Sequence, residues 1–202
     1  MQPDIVSHMS DPPAAVSLDP ALVDAAAAVL DEGGIRALTI TAIAERAGVS
    51  RVTLHRRGAT VEDYVVAVLV RASDDLRESL WPLMTSSEPA AARLRSALTV
   101  LCEVFERNSG IMAALFDVPT RQIPGRPGRT TSLEFVEPFA KLLADGQADG
   151  SITCGDVLEE ATLTANAVVW TYLHMRRTHG WSIDDVATRV VELAIAHLLP
   201  RP

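Results

Sequence analysis

Apolar residues recur along the chain at intervals of three and four, and residues that cap helices stand just before these runs. Asp19-Pro20 sets a capping carboxylate ahead of a proline at the first helical position. Leu22, Ala26, Val29 and Leu30 then share one face until Gly33-Gly34 stops the run. Thr39 opens a short helix over Ile40 to Ala47, Gly48 turns the chain, and Ser50 caps a second short helix beginning at Arg51. Thr60 with Asp63 three residues later predicts a capping box and a longer helix through Tyr64, Val68 and Leu76 toward Trp81-Pro82. Further helices are predicted at about 89–107, 109–117, 131–147, 156–178 and 182–199. Asp156 with Glu159 and Ser182 with Asp185 mark the last two starts, and His179-Gly180 closes the helix between them. No segment keeps the period-2 alternation of a strand, so the expected fold is all-α.

Three stretches differ in texture. Residues 1–17, with Pro3, Pro12 and Pro13 and little periodicity, read as a flexible tail. Residues 18–64 form a three-helix domain, and 65–202 a larger helical one. Within the latter, Pro119 to Thr130 carries Arg121, Arg126 and Arg129 among prolines and glycines, which is the chemistry of a solvated connector, with a gate over a ligand pocket as the alternative.

Composition narrows the class. An apolar content of 48% supports a real core, no apolar run is long enough to span a bilayer, and no signal-peptide pattern opens the chain, so a cytoplasmic protein is expected. Two cysteines, Cys102 and Cys154, do not make a disulfide scaffold and read as buried or pocket thiols. The net charge of −8 excludes a protein that coats nucleic acid non-specifically, because such affinity comes from many basic residues neutralising phosphates. A local basic patch remains compatible with it.

Such a patch occurs where the two short helices meet. Ile40 to Leu54 has the spacing of a helix-turn-helix: Ala44 is small where the helices cross, Gly48 permits the turn, and Ile43, Val49 and Leu54 are expected to fill the core between them. In this motif the second helix lays its first residues in the major groove while the first braces the backbone. Ser50 to Arg57 contains three arginines, a serine, a threonine and a histidine without an acid, the inventory that contacts phosphates and base edges. Thr39, Thr41, Ser50, Arg51, Thr53, His55, Arg56 and Arg57 are the candidate DNA contacts. The plain alternative is an exposed polar helix with ordinary surface arginines; the joint pattern, rather than any one residue, points to DNA.

Ile35 to Tyr64 resembles the DNA-binding domain of the TetR family of transcriptional regulators, carried by Leu38-Thr39, Ile43-Ala44, Ala47-Gly48-Val49-Ser50, Thr53-Leu54, Arg56 and Glu62-Asp63. The resemblance implies a homodimer whose last two helices form a four-helix interface, and a ligand in the C-terminal domain that alters the spacing of the two reading heads. Three positions depart from that family's pattern: His55 replaces a phosphate-contacting tyrosine, Gly58 a core phenylalanine and Val61 a phosphate-contacting lysine. Asp19 to Tyr64 also carries seven acids against five arginines, so non-specific affinity should be low. The missing anchors leave backbone amides at the next helix N-terminus as a phosphate site.

Beyond residue 80 the large apolar side chains read mostly as core. Thr162, Asn166, Trp170 and His174 follow one another at i, i+4 and share a stripe that suits either a small-molecule pocket or a dimer seam. With them, Trp81, Cys102, Phe105, Met112, Phe116, Phe135 and Phe139 are the candidate ligand contacts, and their few charges favour an apolar or aromatic effector. Leu158, Ala165, Tyr172, Val186, Val190, Leu193 and His197 are the candidate dimer contacts, because the last helix combines valines and leucines with small alanines that permit close approach. No glycine-rich phosphate loop, nucleophile elbow or metal spacing is present in the sequence, so neither enzyme, cofactor nor metal is expected, and His174 and His179 read as structural. The expected function is a ligand-responsive repressor of a palindromic operator. The rival is a dimeric ligand sensor or partner-binding module whose head has lost DNA affinity, which equal, weak binding to operator and random DNA would reveal.

Overall fold

The computed structural model describes residues 18–56, 58–117 and 133–200; the side chains of residues 115–117 and 133–134 lie outside that description. The expected tail, Arg57, the Phe116 side chain and the arginine-bearing 119–130 connector therefore fall outside it. Every regular element among the described residues is a helix: α1 (Pro20–Gly33), α2 (Ile40–Arg46), α3 (Arg51–Arg56), α4 (Val61–Met84), α5 (Ala90–Arg107), α6 (Ser109–Asp117), α7 (Leu133–Asp149), α8 (Val157–His179) and α9 (Ile183–Ile195).

The capping groups explain these boundaries. Asp19 accepts the Ala21 N–H at 3.1 Å, Asp156 accepts from Leu158 and Glu159 at 2.9 Å each, and the Ser182 hydroxyl accepts from Asp185 at 3.2 Å. Thr60 and Asp63 exchange bonds, with Thr60 N–H on the Asp63 carboxylate at 2.8 Å and Asp63 N–H on the Thr60 hydroxyl at 3.2 Å. Two ends differ from expectation. Helix α4 continues past Pro82 to Met84, because a proline in an exposed last turn removes a single hydrogen bond; the Thr85 hydroxyl donates back to the Pro82 carbonyl at 3.3 Å. Helix α9 ends at Ile195 rather than near 199, and Leu198 instead buries its side chain while its carbonyl accepts the Thr153 N–H at 2.8 Å.

Helices α1 to α3 pack into a small head, and α4 leads from it into a bundle of α5, α7, α8 and α9. The core runs continuously from Leu22, Leu30, Ile43 and Leu54 through Tyr64 and Leu80 to Leu98, Phe139, Leu142 and Tyr172. Polar clamps fix the layers. Asp75 on α4 accepts from Arg107 at 2.9 Å and Asn108 at 3.0 Å; Glu106 on α5 accepts from Tyr172 at 2.8 Å and Arg176 at 3.1 Å on α8; Arg95 on α5 meets Glu192 on α9 at 2.6 Å. Head and bundle are joined by Arg71 with Asp24 and by the Gly110 N–H, which donates to the Asp31 carboxylate at 2.8 Å.

Several expected positions move. Val49 is 39% exposed and does not fill the helix-turn-helix core, where Ile43, Ala44 and Leu54 are buried. Ala165 and Tyr172 on α8 and Val186 and Val190 on α9, expected in a dimer seam, are buried in the subunit's own core, where α8 and α9 pack on each other and on α5 and the Tyr172 hydroxyl reaches Glu106 on α5.

Candidate nucleic-acid interface and effector groove

The geometry of the head follows from backbone bonds around Gly48. The Thr39 hydroxyl accepts the Ala42 N–H at 3.1 Å and starts α2. At its other end Gly48 takes φ 68°, Gly48 N–H donates to Glu45 at 3.2 Å and Val49 N–H to Ala44 at 3.0 Å, which is a Schellman closure. A Cβ on residue 48 would meet nothing within 4 Å, so glycine is required by the dihedral and not by space. The Ser50 hydroxyl then accepts the Thr53 N–H at 3.1 Å, starting α3, and Leu54 locks α3 against α2 at 1% exposure.

With Leu54 inward, Arg51, Val52, Thr53, His55 and Arg56 are all exposed. Arg51 and His55 stand one turn apart and share a face, and with Ile40, Thr41 and Val52 they line a groove of about 370 Å³ between α2 and α3. The structure thus brings Thr41, Arg51 and His55 together. Ser50 and Thr53 occupy each other, their hydroxyls 2.9 Å apart, and therefore act first as a cap. The amides opening α4 are a poorer phosphate site than expected: Glu62 and Asp63 both sit in that first turn, and the Thr60 backbone N–H and hydroxyl hold the Asp63 carboxyl below the ordinary aspartate range, so a phosphate there meets the Asp63 carboxylate. Helix α3 stops at Arg56 with Gly58 at φ 72°; its backbone N–H donates to His55 at 3.2 Å, and Leu54, Ala59 and Tyr64 form the core beneath.

A second cavity, about 450 Å³, opens between α4 and α7. Leu76, Leu80, Trp81, Met84, Phe135 and Pro138 give it apolar walls, and Arg77, Glu137 and Lys141 line it with charge. Both of those cations are already engaged, Arg77 with Asp74 at 2.5 Å and Lys141 with Asp145 at 3.0 Å, and Lys141 holds the Asp145 carboxyl below its usual range. Of the candidate ligand contacts, Trp81 and Phe135 meet here. Phe135 leads inward, its ring centroid 6.3 Å from Phe105 and 6.2 Å from Phe139. Cys102, Phe105, Met112 and Phe139 are buried core rather than cavity wall, and burial pushes the Cys102 thiol up to about 12.

The stripe at Thr162, Asn166, Trp170 and His174 does not line this cavity. Trp170 is 55% exposed, His174 is exposed, and the Thr162 hydroxyl and Asn166 amide donate to helix carbonyls at 2.7 Å each. Leu158, Leu163 and Trp170 on α8 and Leu193 on α9 are exposed apolar side chains, with Leu193 at 74% exposure. His197 is exposed and pairs with Glu160 at 2.8 Å. The sequence reading missed Val52, Leu163, Leu76, Leu80 and Met84. A helical residue's outward direction depends on which neighbouring helix claims the opposite side, and apolar periodicity carries no sign of that.

Residues 22–57 match the family described as bacterial regulatory proteins, tetR family. A comparison with curated proteins finds no match. Among solved structures, the chain is similar to SmeT, the repressor of the Stenotrophomonas maltophilia multidrug efflux pump SmeDEF, at 16% identity over 92% of each chain with a TM-score of 0.68. It is similar to the TetR family transcriptional regulator PfmR from Thermus thermophilus at 18% identity, covering 89% of this chain and 99% of that one, TM-score 0.68. A gamma-butyrolactone receptor matches at 21% identity, covering 90% of this chain and 87% of the receptor, TM-score 0.68. At these identities the likeness shows the fold.

Proposed function

We propose, from the match of residues 22–57 to the tetR family of bacterial regulatory proteins and the shared fold, that the chain is a homodimeric repressor that holds a palindromic operator and leaves it when a small, mainly apolar or aromatic molecule occupies the α4–α7 groove. The observation that carries this reading is the exposed face of α3, where Arg51 and His55 stand together above the Schellman turn with Arg56 beside them. Arginine on that face supplies bidentate contact to guanine and charge for phosphate. Residues 18–64 serve as the reading head, and a DNA partner places the protein in the cytoplasm.

The rest of the chain supports the dimer and the switch. A second copy laid on Leu158, Leu163, Trp170 and Leu193 removes an exposed apolar surface from water and sets two heads on a two-fold axis, as a palindrome requires. Two of the similar structures are an efflux-pump repressor and a gamma-butyrolactone receptor, which fits an apolar cavity in the same fold. The effector weakens DNA binding only by preferring the dimer shape whose heads miss half-sites about 34–36 Å apart.

The test is fluorescence anisotropy of the full chain on its own upstream DNA across a salt series, beside random duplexes of equal length. Specific binding that weakens as salt rises, and that falls at least tenfold in Arg51→Ala, is expected. Equal and weak binding to both DNAs overturns the repressor reading.

A further inference from the structure

Val52 is the one residue of α3 whose exposure has no polar explanation. It is 61% exposed, while Leu54 two residues on is buried at 1%. Two helical steps separate those side chains by about 200°, so the packing that fixes Leu54 inward fixes Val52 outward and denies it a place in the core. It stands beside Arg51 and lines the same groove as Ile40, Thr41 and His55. On either side the polar chemistry is of a different kind: Arg51 and His55 carry donors, and Ser50 and Thr53 engage each other.

A valine offers neither a hydrogen bond nor charge, so it adds nothing to phosphate binding. On the base edges of the major groove the apolar group it can meet is a methyl at pyrimidine C5, which thymine carries and cytosine lacks. Resting on the DNA-binding reading above, we propose that Val52 is a specificity-determining residue that reads the C5-methyl of a thymine in each operator half-site, next to the base pair met by Arg51. β-branching suits this task, because a stiff χ1 presents the two methyls in one orientation and little freedom is lost on contact.

The test uses the full chain and needs no variant for its first arm. The half-site is selected from randomised duplexes, and each thymine is then replaced singly by deoxyuridine, which keeps every hydrogen-bonding group and removes only the methyl. One thymine per half-site is expected whose replacement weakens wild-type binding about fourfold, the effect of losing one buried methyl-sized group. Val52→Ala, which loses the contact in both half-sites, is expected to bind the unmodified operator about 16-fold more weakly, about fourfold for each half-site, and to be indifferent to deoxyuridine at that position, while melting with the wild type. Replacing that thymine by 5-methylcytosine, paired with guanine, separates the methyl from the rest of the base edge: a methyl contact predicts tighter wild-type binding than with plain cytosine. If binding stays sequence-specific but no deoxyuridine weakens it, or if the loss is the same in Val52→Ala, the proposal falls and the DNA-binding reading stands. If no sequence is preferred over random DNA, both fall.

Discussion

The Asp31 carboxylate accepts the Gly110 backbone N–H at 2.8 Å, joining the last turn of α1 to the first turn of α6. The approach is close enough that a Cβ on residue 110 would lie 2.5 Å from the Asp31 nitrogen and the Leu30 carbonyl carbon. Backbone meets backbone, so no flexible side chain can yield. Gly110→Ala is therefore expected to cost roughly 1–3 kcal/mol, lowering Tm by several degrees in a thermal melt followed by circular dichroism. Asp31→Asn keeps an acceptor and should melt near the wild type, whereas Asp31→Ala loses about 1 kcal/mol. A Gly110→Ala protein with unchanged Tm would show that head and bundle are not in close contact there.

In the α4–α7 groove, Trp81 is 66% exposed and is the largest side chain in the lining. Removing it should weaken binding of an apolar aromatic probe such as anilinonaphthalene sulfonate by about tenfold, equivalent to about 1.4 kcal/mol, in a fluorescence titration. Trp170→Ala, on α8 and outside the groove lining, should leave that titration unchanged. The opposite ranking would return the effector site to α8.

Leu193 and Val190 lie one turn apart on α9 and differ in what they face. Leu193→Glu should halve the mass read by light scattering while the subunit stays folded, because that side chain is open in the single chain. Val190→Glu should instead unfold it, since a carboxylate there is buried without a partner at a cost of several kcal/mol. A folded Val190→Glu protein, or a Leu193→Glu dimer, contradicts the assignment of the two faces.

Two carboxylates tie the bundle together with depressed pKa values. The Arg176 guanidinium, aided by the Tyr172 hydroxyl, holds Glu106 below its ordinary 4.5, and Arg107 with Asn108 holds Asp75 below its ordinary 3.8. A group that binds its proton less readily when folded contributes stability above its unfolded pKa and loses it as pH falls through the folded one. Stability should therefore be level from neutrality to about pH 5 and fall below it, with Glu106→Gln showing a shallower decline. An identical acid limb in Glu106→Gln would remove this clamp from the account.

The thiols offer a separate check of burial. Cys102 is held protonated by its apolar surroundings, and Cys154, also raised but half-exposed, remains reachable. A thiol reagent should modify Cys154 in the native protein and both residues in urea, and Cys102 should react only as fast as the protein opens. Native labelling of Cys102 ahead of Cys154 would contradict the packing of α5.

Helix positions were legible because capping is local: Thr60 and Asp63 announce a bond that they form with each other, as do Ser182 and Asp185. The candidate DNA face was legible for the same reason, since Gly48 and Leu54 set its orientation within a few residues. The effector groove was not. Trp81 and Phe135 were visible as large apolar residues, yet they meet only through the packing of α4 on α7, more than fifty positions apart. The misassignment of Tyr172 and Val190 has a similar origin, because an apolar side chain carries no label for its own core or another subunit's.

Helix α4 is a single rod of 24 residues, about 36 Å long. Its first turn, capped by Thr60, sits directly after the reading helix, and its last turns hold Trp81 and Met84 in the cavity wall. A rod of that length acts as a lever: a tilt of about 5° at one end sweeps the other through about 3 Å, as long as a hydrogen bond. Occupancy at the far end need not be large to be felt at the near one.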